Sequence, residues 1–360
     1  MSSKPAPAAQ PAQSSKTAGL IVGLVIIIVL ALLTNYLSNH PKVHKALEFP
    51  LWAAALGLVV NIILTATGTR QFIMPAVRTE LFLKIGLVLL GCSVNIKQIG
   101  VVGGKGIVQA LIMVTCVFFF TYWLGGVFRL PDKMRAVMAT AISICGVSAA
   151  IAAAGSVLAG KEELTYITAL VIFTALPLMV LMPYLAHVWN LPTQVAGAWF
   201  GGNIDTTAAV VGAGAIHSEA AMKVASIVKM SQNALIGVVA FILALYFTTV
   251  VERKNGGTGE RPSARVIWDR FPKFVIGFVV ASVIVSLGWL SKDVVKVVND
   301  LRSWLFTLAF VCIGLELSFA EFKRLGFGPT VVYVIATIFN TVLTLGVAYL
   351  VFGGILFPAG

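Results

Sequence analysis

The chain has 360 residues, of which 59% are hydrophobic and only 11% charged, and its mean hydropathy is +0.96. Soluble domains carry about 25% charged residues, so a soluble globular fold is excluded and a polytopic membrane protein is expected. The formal charge of +12 does not point to nucleic acid, because Lys and Arg sit in the loops between apolar runs, where they hold loops on the cytoplasmic side.

Residues 1–17 are mostly Ser, Pro, Ala and Gln with Lys4 and Lys16, a composition that cannot bury a core, and a disordered tail is expected. Apolar runs then follow at 20–33, 49–68, 80–96, 106–128, 136–159, 164–187, 196–216, 224–250, 272–290, 302–319 and 328–352. Runs of roughly 20 residues cross a hydrocarbon core of about 30 Å as helices, and the short alternating segments of a β-barrel are missing. The fold class is therefore all-α, with about eleven transmembrane helices. The first run could be a leader core, but 34–39 offers no small-x-small cleavage site, so it is kept as a membrane helix. Cys92, Cys116, Cys145 and Cys312 lie inside apolar runs without metal-ligand spacing and read as free thiols. His40, His44, His187 and His217 are scattered towards segment ends, which argues against a zinc site.

Two stretches break this apolar pattern in the same way. Ile144-Cys145-Gly146-Val147-Ser148-Ala149-Ala150 aligns with Asn203-Ile204-Asp205-Thr206-Thr207-Ala208-Ala209 as a hydroxyl followed by Ala-Ala, with Ala154-Gly155 and Ala213-Gly214 closing each motif. Gly-interrupted, hydroxyl-rich membrane segments of one design predict two broken helices that cross near the membrane midplane and form a binding site there. The expected substrate-binding residues are Ser143, Cys145, Gly146, Ser148, Asn203, Thr206 and Thr207.

A longer repeat emerges at an offset of 223 positions. Leu87 to Ile96 then faces Phe310 to Phe319 and Gly103 meets Gly326, and the preceding runs both open with Phe-Pro, at Phe49-Pro50 and Phe271-Pro272. The matched runs are seven crossings apart, an odd number, so equivalent segments run in opposite directions and the repeat is inverted. This divides the chain into the tail 1–17, a first membrane repeat with the two broken-helix motifs at 18–250, a basic cytoplasmic linker at 251–271, and the rest of the second repeat at 272–360. The linker, with Asn255-Gly256-Gly257-Thr258-Gly259, is read as flexible. Its Arg253, Lys254, Arg261, Arg265 and Arg270 tip the Lys and Arg count, which places the N-terminus inside and the C-terminus outside.

A charge at the bilayer centre costs on the order of 2.5–3.5 kcal/mol, so ionisable residues within runs are functional candidates. Asp205 is the foremost, because Thr206 and Thr207 after it can cap a half-helix whose amides face an anion. Glu316 reads equally as an ion site or as a carboxylate snorkelling from the end of its run. Its repeat partner Ser93, with Asn95, could add ion ligands or act as glue between helices. Lys84 reads as an interfacial anchor, and Pro177 and Pro183 as kinks. Cys145 could be a nucleophile but has no neighbouring base. Lys229, Ser231, Gln232 and Asn233 face a vestibule or form a solvated helix end.

On these motifs, above all Ser143 to Ala150, Asp205 to Val211 and Gly314-Leu315-Glu316, the chain resembles the YeiH-like family of bacterial inner-membrane sulfate exporters over roughly residues 50–355. Ile204 and Gln232 stand where many members carry His and Arg. The resemblance implies a secondary transporter that exports a small inorganic or sulfur-containing anion such as sulfate or sulfite. Ion coupling would fall to Asp205 and Glu316 with Ser93 and Asn95, through Na⁺ at Asp205 or through H⁺. No other cofactor is expected, and the partners are the anion, the lipid bilayer of the inner membrane and no nucleic acid; a homo-oligomer stays open. A cation/proton antiporter is the alternative within transport, and a membrane-embedded enzyme using Cys145 or Asp205 the alternative outside it, though the residues favour no enzyme.

Overall fold

The computed structural model of the protein describes residues 13–40, 49–251, 263, 265–317 and 327–357. Among the described residues the regular structure is helical, as expected for a backbone that must satisfy its own polar groups in lipid. The helices are α1 (Gln13–Asn39), α2 (Phe49–Ala66), α3 (Arg70–Ile73), α4 (Thr79–Leu90), α5 (Ile96–Val127), α6 (Asp132–Ser143), α7 (Val147–Val157) and α8 (Lys161–Val188). There follow α9 (Thr193–Asn203), α10 (Thr207–His217), α11 (Glu219–Asn233), α12 (Ile236–Tyr246), α13 (Arg265–Arg270), α14 (Lys273–Ser286), α15 (Lys292–Glu316) and α16 (Phe327–Phe352).

Among the described residues seven segments are long and apolar enough to cross a membrane: Thr17–Asn39, Phe49–Ala66, Ile96–Val127, Lys161–Val188, Glu219–Val251, Lys292–Glu316 and Phe327–Phe352. Val147–Val157, Thr207–His217 and Lys273–Ser286 are shorter apolar helices. Among the described residues each of the eleven apolar runs contributes helix; the runs 136–159 and 196–216 are split into the pairs α6/α7 and α9/α10, and 224–250 is divided at residues 234–235 into α11 and α12. The chain is a polytopic helical membrane protein.

Two boundaries are corrected. The tail expected at 1–17 gives way to α1 at Gln13, because extending a nucleated helix by a turn costs far less than starting one; residues 1–12 lie outside the described residues. Within the expected linker 251–271, residues 252–262 and 264 also lie outside them, while Arg265–Arg270 is a helix. Its Arg265 and Asp269 are an i,i+4 pair at 3.8 Å.

The chain divides into two compact units. The first comprises Met1–Phe82 and Thr307–Glu316. In it, a Cβ at Gly23 of α1 would lie 2.5 Å from the Ala76 Cβ, and Gly57 of α2 lies against the backbones of Val311 and Gly314. These are the close approaches that small residues allow between membrane helices. The second unit comprises Leu83–Phe306 and Leu317–Gly360. Here α5 packs against α6, α11 and α16, and α9 packs against α11 and α16. The α9–α11 contact is a small-residue seam: Cβ atoms at Gly197 and Gly201 would sit 2.7 and 2.6 Å from the carbonyls of Ala221 and Ala225. The four residues repeat at the same spacing on both helices, so one face of α9 lies flush on α11.

Candidate functional site

Both breaks lie in the second unit. The first follows Ser143: Ile144 leaves helical geometry at φ −125, ψ −86, and Gly146 turns the chain at φ 65, ψ −113 before α7 begins. The second follows Asn203: Ile204 is extended, and Thr206, also extended, accepts a hydrogen bond from Ala209 N at 3.3 Å and so caps α10. The two breaks touch. A Cβ added at Gly146 would lie 3.3 Å from both the Cβ and the carbonyl oxygen of Asp205, and 2.5 Å from Val171 Cγ1. Gly146 and Asp205 are equivalent positions of the two sequence motifs, so the motifs meet at matching residues.

Two half-helices end here and two begin. The ends carry carbonyls without helical partners and a partial negative charge, and the beginnings carry free amides and a partial positive charge. Side chains from α11 and α16 take up the carbonyls. Gln232 Nε2 donates to Ser143 O (2.7 Å) and Gly202 O (3.3 Å), which are again equivalent motif positions. Asn340 Nδ2 donates to Asn203 O (3.1 Å) and Ile142 O (3.4 Å). Lys229 Nζ donates to Ile144 O (2.5 Å) and to Gln232 Oε1 (3.0 Å). From α5, Gln109 Nε2 donates to Ala198 O at 2.8 Å.

Asp205 is 1% exposed. Its Oδ2 accepts from the Tyr333 hydroxyl of α16, and its Oδ1 has no hydrogen-bond partner among the described residues. Tyr333 also contacts Thr174 of α8 at 3.3 Å, and the neighbouring Tyr166 and Thr330 hydroxyls are 2.9 Å apart. Lys229, likewise 1% exposed, lies within electrostatic reach of Asp205 and Cys145. Other buried oxygens that lack partners among the described residues include Gln109 Oε1, Asn233 Oδ1 and Thr337 Oγ1. A buried carboxylate, a buried ammonium and unpartnered acceptors at a crossing of broken helices are the makings of a site for a small charged species.

The sequence-predicted residues fall into three groups. Ser143, Gly146, Asn203, Asp205, Thr206 and Thr207 are gathered at the crossing, with Thr207 Oγ1 accepting from Asn233 Nδ2 at 3.3 Å. Ser148 begins α7 beside them. Cys145 differs: its side chain joins an apolar cluster with Val114, Ala149, Ala152, Ile236 and Ala240, while Lys229 is within electrostatic reach of it. Asn95 is the N-cap of α5, accepting from Lys97 N at 2.9 Å, and Ser93 accepts from Arg302 Nη1 at 2.9 Å. Glu316 belongs to the other unit, where it accepts from Thr79 Oγ1 at 2.6 Å while its carbonyl accepts from Arg70 at 2.9 Å.

Lys229 and Gln232, read from sequence as vestibule or solvated helix end, are buried in the site. Their neighbours α6 and α9 cover them, which no local pattern in α11 announces. Tyr333 and Asn340 were missed outright. With Thr337 and Thr344 they form a polar stripe at helical spacing along α16, and that periodicity was the available signal. His187 and His217, scattered in sequence, are stacked at 4.5 Å. Among the described residues no three His, Cys, Asp or Glu gather as metal ligands.

The sequence profile of the family described as Conserved hypothetical protein 698 matches residues 22–333. The chain belongs to this family. Its relatives include a UPF0324 membrane protein of Rhodopirellula baltica, 40% identical over 85% of this chain and 58% of the relative. Another, a UPF0324 membrane protein of Nitratidesulfovibrio vulgaris, is 40% identical over 85% of this chain and 55% of the relative. The chain thus spans a little over half the length of these relatives. The YeiH-like grouping read from the motifs fits this assignment. No solved structure matches.

Proposed function

We propose that the protein is a secondary active transporter that exports a small inorganic or sulfur-containing anion such as sulfite or sulfate across the inner membrane by alternating access, coupled to a cation. The observation that carries this reading is the crossing at Gly146 and Asp205. Two half-helix N-termini start where a fully buried carboxylate keeps one oxygen unpartnered. The amides of α7 and α10 favour an anion, the small side chains of Ser148, Thr206 and Thr207 leave it room, and the carboxylate ties its binding to a proton or metal cation. The sulfur oxyanion comes from the family resemblance alone.

The internal duplication is supported by contacts that recur at the 223-residue offset. Thr79 bonds Glu316, and the equivalent positions, Arg302 and Ser93, bond each other. Gly314 lies against Ala54 and Leu58, and its equivalent Gly91 against Phe278 and Ala281. We read the repeats as inverted, with the N-terminus cytoplasmic.

The test is melting of the purified protein against a panel of small anions, followed by flux in proteoliposomes. Sulfite or sulfate is expected to raise the melting temperature by mass action, and Ser148→Leu with Thr207→Leu to abolish the effect. Asp205→Asn keeps the shape of the side chain and removes the exchangeable charge, so cation-driven flux is expected to fall to background while the protein still folds. A melting shift with Na⁺ or Li⁺ alone, and none with any anion, would favour a cation/proton antiporter instead.

A further inference from the structure

We propose that the ammonium of Lys229 is the resident cation of the crossing, so that the site needs no Na⁺ and the ion exchanged during transport is a proton on Asp205. The proposal rests on the transport reading above and names its coupling ion.

Carbonyls at the ends of broken helices attract either donors or a metal cation. Here five of them, from Ile142, Ser143, Ile144, Gly202 and Asn203, are met by Lys229, Gln232 and Asn340. Lys229 supplies the one full positive charge in this set. A buried ammonium is costly unless a nearby negative charge and hydrogen bonds offset it. Its offsets are the Ile144 carbonyl, the Gln232 amide oxygen and the charge of Asp205. A metal ion added to the same volume would set two cations against one carboxylate.

Exchange then falls to Asp205. Tyr333 occupies Oδ2, and Oδ1 is the oxygen left to take a proton. Uptake converts the carboxylate to the neutral acid and release reverses it; no other bond changes. The titratable groups acting on Asp205 and Lys229 are each other, Tyr333 from α16 and Cys145 from the first break. Gln232, Asn340, Asn203 and Thr174, which also face the crossing, carry no charge. With Asp205 ionised the site holds one charge of each sign; with it protonated the site is net positive, which strengthens anion binding by the helix N-termini. Anion and proton therefore bind together.

The experiment uses the purified full chain in detergent and reads melting temperature at constant ionic strength in choline, sodium, lithium or methylammonium chloride. Wild-type protein is expected to melt at the same temperature in choline and in sodium. Its melting is expected to depend on pH in a way that Asp205→Asn removes. Lys229→Ala is expected to melt about 5–10 °C lower and to recover saturably with methylammonium, which restores the missing ammonium. Lys229→Met fills the space and is expected not to recover. A saturable stabilisation of wild type by Na⁺ that Asp205→Asn abolishes would overturn the proposal, as would methylammonium acting no better than choline on Lys229→Ala. Should Lys229→Ala not fold, the wild-type sodium titration and the Asp205→Asn pH comparison decide the matter alone. Chloride is the same in all of these readings, so failure of sulfite and sulfate to bind would remove the anion-transport reading without touching the cation result.

Discussion

Gly146 combines two demands that only glycine meets. At φ 65 and ψ −113 it lies outside the conformations that L-residues adopt, and a Cβ there would strike Val171 and touch Asp205. Gly68 meets only the first demand, with φ 71 and nothing within 4 Å. Gly68→Ala should therefore cost only the positive-φ penalty of about 1–2 kcal/mol. Gly146→Ala adds overpacking of about 1–3 kcal/mol and should roughly double that loss in thermal or chemical melts. It should also impair the proposed anion binding, because the added methyl displaces Val171 and crowds Asp205 at the crossing. Equal losses at the two positions would mean that the two breaks can separate without consequence.

Among the elements, α11 and α16 hold the broken helices in register. Gln232 and Asn340 each donate to one carbonyl of α6 and one of α9, so each ties the two C-terminal ends together. Replacing either by Leu leaves buried carbonyls unsatisfied at about 1–3 kcal/mol, and the double variant should lose less than the sum, since once one tie is broken the ends can part. A double-mutant cycle on melting free energy checks this; strict additivity would show that the ties act independently. The breaks themselves were legible in sequence because Gly146, Asp205 and the hydroxyls after it are local interruptions of apolar runs. What holds them was not. Lys229 and Gln232 look like an amphipathic helix end until α6 and α9 are laid over them, and Tyr333 and Asn340 sit in a run apolar enough to read as a plain membrane helix. Cys145, grouped with the motif from sequence, has its side chain in apolar packing with Val114, Ala149 and Ile236 while Lys229 is within electrostatic reach.

At the scale of the whole molecule, the proposed duplication makes a claim about direction. The exchange of partners at 223 residues, Thr79 with Glu316 and Arg302 with Ser93, keeps the geometry while changing the chemistry from a hydroxyl and a carboxylate to a guanidinium and a hydroxyl. Positions that preserve a contact while its chemistry drifts are what the proposed duplication would leave behind. If the copies are inverted, an odd number of crossings separates matched segments and the chain ends face opposite sides. The Lys- and Arg-rich stretch before α14 should then be cytoplasmic. Single cysteines placed at Gly257 and after Gly360, in a background where Cys92, Cys116, Cys145 and Cys312 are replaced, should react with a membrane-impermeant maleimide from opposite sides: the first only in inside-out vesicles, the second in intact cells. Labelling of both from the same side would make the crossing number even and the repeats parallel. The two breaks could still meet in that case, but the proposed alternating access could not come from equal and opposite motions of matched halves.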